Sequence, residues 1–189
     1  MIKAIIFDCF GVLTTDTWNA FLDTLSDKKA VQEVREIHRA YNAGLLSKLE
    51  SNEQIEQIAG KSFLELEDSN AQVIKNDTLL TYITELKKNY SIGLLSNIGS
   101  NWVRDSFLTD EEQTLFNQMV FSFEVGMNKP DSRMFELVAN RLGVEPSEAI
   151  MIDDQVTYCQ AAHSTGMQAI VYQDFEQFKT ELEQLLNHV

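Results

Sequence analysis

Apolar residues along the chain follow two rhythms. Short unbroken runs have the length and composition of strands: IKAIIF (2–7), SIGLLS (91–96), MVFSFEV (119–125), AIMID (149–153) and QAIVY (168–172). Between and after the later runs, apolar positions recur at helical spacing. They do so in NDTLLTYITELKKNY (76–90), DSRMFELVANRLG (131–143), QVTYCQAAHSTG (155–166) and DFEQFKTELEQLLNHV (174–189). Asp77, Asp131 and Asp174 stand where N-caps belong, and Gly143 and Gly166 stand where helices stop. Strands alternating with helices predict an α/β fold, a parallel sheet with helices on both faces.

One stretch breaks the alternation. From Thr14 to Lys75 there is no strand-like run, only helical segments such as DTWNAFLDTL, KKAVQEVREIHRAYNAG and SNEQIEQIAG. The pattern predicts a small helical cap at 14–75, inserted into a core formed by 1–13 and 76–189. Trp18, Phe21 and Leu22 are expected in the core of that cap. The chain has two prolines, so no proline-rich linker marks the joints, and it contains no internal repeat.

Length and composition change this picture little. The 189 residues, 44% hydrophobic and 23% charged, suit one core domain carrying an insertion. No apolar run reaches the roughly 20 residues of a membrane span, and the start MIKAIIFDCF lacks a signal-peptide pattern, so a cytoplasmic location is expected with no membrane partner. Cys9 and Cys159 form no disulfide framework or metal-ligand spacing, and Cys9 points away from Asp8 on a strand. His38, His163 and His188 are scattered and form no cluster. Net charge is informative. At −14, the chain repels nucleic acid and any anionic substrate, so a phosphate site here requires a bound cation, a lysine or a helix N-terminus.

Ligands of open parallel sheets bind beyond the carboxyl ends of the strands, and four reactive candidates fall there. Asp8 ends the first run, and Gly11 lets the backbone turn after it. Ser96 and Asn97 end the second, Lys129 follows the third closely, and Asp153 and Asp154 end the fourth. Adjacent like charges at 153 and 154 ionise together in solvent or beside a cation; taken alone, they also read as a helix cap. With Asp8 they suit Mg²⁺, which takes oxygen ligands and keeps waters and substrate phosphate in its shell. The backbone carbonyl of Phe10 can join that shell whatever its side chain. Pro130 holds Lys129 out of helical geometry, so its ammonium can lean toward an anion, although, taken alone, a surface lysine before a capped helix is the better account. Ser96 and Asn97 can donate to phosphoryl oxygens, or merely form a turn.

These segments resemble the haloacid dehalogenase-like hydrolases. FDCFGVLT is similar to the first motif of that superfamily, LLSN to the second, GMNKPDSRMF to the third and MIDDQ with AAHSTGM to the fourth, in order over nearly the whole chain. The resemblance implies a Rossmann-like core with a helical cap and a Mg²⁺-dependent phosphohydrolase acting on a small phosphorylated metabolite. Asp8 would be the nucleophile and form an aspartyl-phosphate. Lys129 and Mg²⁺ would neutralise the phosphoryl oxygens, Ser96 would bond one of them, and Asp154 would ligate the metal, with Asp153 doing so directly or through water.

Phe10 departs from the family pattern. Its phosphatases usually carry an aspartate there, acid to the leaving group and base to the attacking water; a benzyl ring does neither. Thr14 and Asp16 are nearby candidates for another proton source. Two alternatives accompany the phosphatase reading. One is a 2-haloacid dehalogenase, whose first motif is also aromatic at this position but which lacks the acidic pair seen at 153 and 154. The other is a non-catalytic binder of phosphorylated ligands.

Overall fold

In the computed structural model, which describes residues 1–63 and 73–187, AIIF forms the middle strand of the sheet, β1 (Ala4–Phe7). Every residue of β1 is buried because both faces of the strand are covered. Ile5 and Phe7 point into one apolar layer, and Ala4 and Ile6 into the other.

Beyond β1 the chain passes through a tight loop into α1 (Trp18–Asp23), α2 (Lys28–Asn42) and α3 (Lys48–Ala59). These helices have their own small core, centred on Phe21, Leu22, Val34 and Ile55. Asp27 caps α2, and a Ser47–Glu50 capping box starts α3, which Gly60 ends. The end of α2 is pinned to the sheet domain. Buried side chains bond the carbonyls of its last turn: Ser122 Oγ donates to the Asn42 carbonyl at 2.5 Å, and Asn128 Nδ2 at 2.9 Å joins the Ala43 N–H on that of Arg39. Thr14 and Lys75 pair in an antiparallel bridge where the chain leaves and re-enters the sheet domain. Residues 64–72 of the predicted cap, and His188, lie outside the described residues.

The chain then continues through α4 (Asp77–Leu86), β2 (Ser91–Ser96), β3 (Gln118–Phe121), α5 (Ser132–Leu142), β4 (Ala149–Asp153), α6 (Val156–Ser164), β5 (Gln168–Val171) and α7 (Phe175–Asn187). All strand pairs are parallel, in the order β3-β2-β1-β4-β5. Helices α4 and α7 cover one face through Leu79, Ile83, Phe178 and Leu182. Helices α5 and α6 cover the other through Met134, Phe135, Val138 and Ala162. This is a Rossmann-like α/β fold.

Two local expectations are corrected. The run MVFSFEV does not stay extended: β3 ends at Phe121, and Ser122–Val125 form one helical turn closed by Gly126. Ser122 is buried there because its hydroxyl accepts from the Ile98 N–H at 2.8 Å while donating to the Asn42 carbonyl at the end of α2. The N-cap of α4 is Asn76, which accepts from the Leu79 N–H, and Asp77 is the first helical residue. Asp131 and Asp174 do cap their helices, accepting from the N–H groups of Arg133 and Gln177.

Candidate active site

The strand order reverses between β1 and β4, where an open parallel sheet leaves a crevice at its carboxyl edge. Phe7 lies beside Ile152 in register, so the next residues, Asp8 and Asp153, emerge side by side. Lys129 reaches between them from the loop after β3. Its ammonium lies 2.9 Å from Asp8 Oδ2 and 2.6 Å from Asp153 Oδ2, with all three side chains buried. The other oxygen of Asp8 accepts from the Cys9 N–H at 2.7 Å, and that of Asp153 from the Gln155 N–H at 2.9 Å. Asp153 therefore shapes the turn into α6 and also faces the lysine.

Asp154 completes the group from a half-buried position, steadied by Gln155 Nε2 at 2.8 Å. Gly11 makes room for it. The 8–14 loop folds back so that the N–H groups of Leu13 and Thr14 meet the Cys9 carbonyl, with Gly11 at φ 79°. A Cβ at Gly11 would stand 2.5 Å from Asp154 Cγ, so glycine is required by contact as well as by conformation.

Asp8, Asp153 and Asp154 each bring an oxygen within 4.8 Å of the others. Three carboxylates around one lysine leave an excess of negative charge in a desolvated place. Burial, reinforced by Asp153, pushes Asp8 up to about 8 against the pull of Lys129. Burial and Asp153 also raise Asp154. Burial opposes the charge on Lys129, but Asp153 and Asp8 together hold it above its ordinary value, firmly protonated. The donor set is all oxygen and short of positive charge, which fits a hard divalent cation.

Ser96 sits fully buried at the end of β2, and its hydroxyl has no hydrogen-bond partner among the described residues, an unmet donor beside the carboxylates' edge. The Asn97 amide is occupied. Its Oδ1 accepts from the Lys129 N–H at 2.8 Å, while Nδ2 donates to the Lys129 carbonyl at 3.0 Å and the Tyr158 hydroxyl at 3.4 Å. Asn97 thus grips both sides of the Lys129 backbone, and the Tyr158 ring lies 5.0 Å beneath the ammonium. Sequence reading did not find these two supports, because they join residues far apart in the chain.

Phe10 stacks on Trp102 at 5.8 Å, and Trp102 in turn on Phe107 at 5.1 Å. The ring belongs to an aromatic column and leaves no acid in that place. Asp16 lines the same cavity, but its oxygens accept from the Trp18 N–H at 2.8 Å and Asn19 Nδ2 at 2.7 Å, so its carboxylate is engaged at the start of α1.

Above the carboxylates lies a cavity of about 650 Å³, walled below by Asp8, Phe10, Lys129 and Asp154 and above by α2 and α3. His38 lines it, stacked on Trp18 at 3.6 Å and flanked by Phe63 and Tyr41. Burial lowers His38 to about 4, so the imidazole is neutral. Phe21 and Leu22 are buried in the helical cluster as expected, whereas Trp18 also borders the cavity. Both cysteines are buried and free, and burial raises both thiols, which keeps them unreactive. Among the described residues, no helix is long and apolar enough to cross a membrane.

Comparison with known proteins places this geometry in context. The family model for haloacid dehalogenase-like hydrolase matches residues 2–166. Bifunctional epoxide hydrolase 2 of Sus scrofa is 32% identical over 110 residues, covering 54% of this chain and 19% of that protein, so the chain spans about a fifth of that relative's length. D-ribitol-5-phosphate phosphatase of Bacteroides thetaiotaomicron is 26% identical over 208 residues, covering 99% of this chain and all of that one. A HAD-family enzyme from Bacteroides thetaiotaomicron, solved in complex with magnesium and inorganic phosphate, aligns with a TM-score of 0.71. It is 24% identical, and the alignment covers 94% of this chain and 99% of that one, a likeness of fold.

Proposed function

The chain belongs to the haloacid dehalogenase-like hydrolases, and from that premise we propose that it is a Mg²⁺-dependent phosphohydrolase of small phosphorylated metabolites, with residues 14–75 as the cap over the site. The observation that carries this reading is the cluster of Asp8, Asp153 and half-buried Asp154, with Lys129 paired to the first two. The full-length relationship to a sugar-alcohol phosphate phosphatase supports the substrate class.

Asp8, Asp153, Asp154 and the Phe10 backbone carbonyl are the residues that would hold Mg²⁺. When bound, the ion offsets the charge of the phosphoryl group and of the carboxylates. An oxygen of Asp8 attacks phosphorus while the ester P–O bond breaks, and the bonding pair leaves with the alcohol oxygen. Lys129 balances the non-bridging oxygens, and the unpartnered Ser96 hydroxyl donates to one of them. Asn97 holds the Lys129 backbone in place throughout. Water then attacks phosphorus of the aspartyl-phosphate, releasing inorganic phosphate and restoring Asp8. Neither step receives a proton from position 10, so substrates with good leaving groups are favoured.

A screen of phosphorylated metabolites with Mg²⁺ and with EDTA tests the proposal. Turnover is expected only with the metal, and only with Asp8 intact. Asp8→Asn should abolish it while a phosphorylated ligand still binds, and a beryllium fluoride adduct should form on the wild type alone. Undiminished turnover in Asp8→Asn overturns the covalent mechanism. The aromatic residue at position 10 favours dehalogenase chemistry as a second reading, and the Asp153–Asp154 pair opposes it. Chloride release from 2-chloropropionate without Mg²⁺ would establish the second reading.

A further inference from the structure

The cap arranges its charges against the trend of the chain. The protein has 29 acidic and 15 basic side chains. Between Thr14 and Phe63 there are eight Asp/Glu and six Lys/Arg, yet three of those cations (Arg35, Arg39 and Lys48) line the cavity against one carboxylate, Asp16. The Asp16 carboxylate is already committed to the Trp18 N–H and to Asn19. Arg35 and Arg39 are four residues apart on α2, on the face that also brings His38 and Asn42 to the cavity.

Neither arginine has a salt-bridge partner among the described residues. Asp131 feels the charge of Arg39, but its carboxylate is paired with Arg133 at 2.6 Å. Both arginines thus line an opening whose floor, on the phosphohydrolase reading, binds a phosphoryl group through Lys129 and a metal. On that reading the phosphoryl group already has its binding groups below, in Lys129, the unpartnered Ser96 hydroxyl and the metal. The positive charge above it is therefore available to a different anion, carried by the rest of the substrate.

We propose that Arg35 and Arg39 form a second anion subsite, and that the substrate is a phosphate ester whose leaving group carries a further carboxylate or phosphate. Guanidinium forks bind both groups in the same bidentate manner. His38, neutral between the two arginines along α2, adds no charge and leaves selection to them. The proposal rests on the phosphohydrolase reading, but it concerns binding and is measurable without turnover.

Binding to the Asp8→Asn protein with Mg²⁺ is measured by calorimetry for phenyl phosphate, 4-carboxyphenyl phosphate and benzene-1,4-diyl bisphosphate. The doubly anionic esters are expected to bind about tenfold more tightly than phenyl phosphate, the combined effect of two partly exposed ion pairs. The stronger of the two identifies the second group as carboxylate or phosphate. Adding Arg35→Gln and Arg39→Gln should erase the preference, the Arg→Lys pair should keep part of it, and raising ionic strength should shrink it. Equal binding of the three esters, failure of any to bind, or a preference that survives the Gln pair overturns the proposal. Turnover is scored separately in the wild type. Preference without Asp8-dependent hydrolysis would sink the phosphatase reading and leave the subsite standing, whereas hydrolysis without preference would sink the subsite alone.

Discussion

Phe10→Asp restores the acid that the site lacks, and its consequences can be worked out in advance. Removing the ring breaks the stack on Trp102, about 1 kcal/mol for an aromatic pair. It also gives up the partial burial of the ring, roughly 1–2 kcal/mol more. At about 2–4 °C per kcal/mol for a chain of this size, the variant should melt about 5–10 °C lower and stay folded at 25 °C. The catalytic effect runs the other way, since general acid–base help is worth about 10²–10⁴-fold. In the wild type, kcat/KM should fall steeply as the leaving group becomes more basic, with aryl phosphates fast and alkyl phosphates slow. The variant should gain most on alkyl phosphates and little on aryl ones, flattening that dependence. The added carboxylate lies close to Asp8, already pushed up to about 8 by burial and Asp153, so the gain should require Mg²⁺. The assay is kcat/KM for matched aryl and alkyl phosphates in both proteins, with melting curves as the folding control. A wild type indifferent to the leaving group, or a folded variant that helps neither class, would refute the reasoning and make Asp16 the next residue to replace.

Asp154→Asn should weaken Mg²⁺ binding in calorimetry while leaving the melting temperature nearly unchanged; equal affinity removes Asp154 from the site. Gly11→Ala should do both kinds of damage, losing metal affinity through the clash with Asp154 and about 1–3 kcal/mol of stability through strain at φ 79°. Asn97→Ala releases the Lys129 backbone and should lower kcat about 10- to 100-fold, whereas a rise in KM alone would instead make Asn97 a substrate ligand. His38 titrates at about 4 in the fold against an ordinary 6.5. The unfolded chain therefore takes up that proton first. The contribution of His38 is complete above pH 6.5 and lost as pH falls toward 4, by roughly 2–3 kcal/mol. In denaturant melts, the stability of wild type relative to His38→Phe should fall by that amount across that range, and parallel curves would contradict the assignment.

The sheet and its helices were legible because their signals are local. AIIF, SIGLLS and AIMID are apolar throughout since they pass between two layers of helices, and the polar residue ending each run has to lie at the carboxyl edge. Asp8, Ser96 and Asp153 could be placed on one edge from that alone. What escaped depends on residues remote in sequence. MVFSFEV reads as one strand, yet it turns helical at Ser122 because that hydroxyl is claimed by Ile98 and by the end of α2. Asn97 reads as a donor to ligand, yet its amide is spent on Lys129, 32 positions away. Arg35, His38 and Arg39 look like the exposed face of an ordinary helix until α2 is laid across the crevice. Local pattern determined which segments are strands and which ends are reactive; only tertiary packing decided which polar groups are committed to other protein atoms and which are left for a ligand. Hydrogen-bond partners and buried charges are set by distance in space, and the order of residues along the chain does not encode that distance directly.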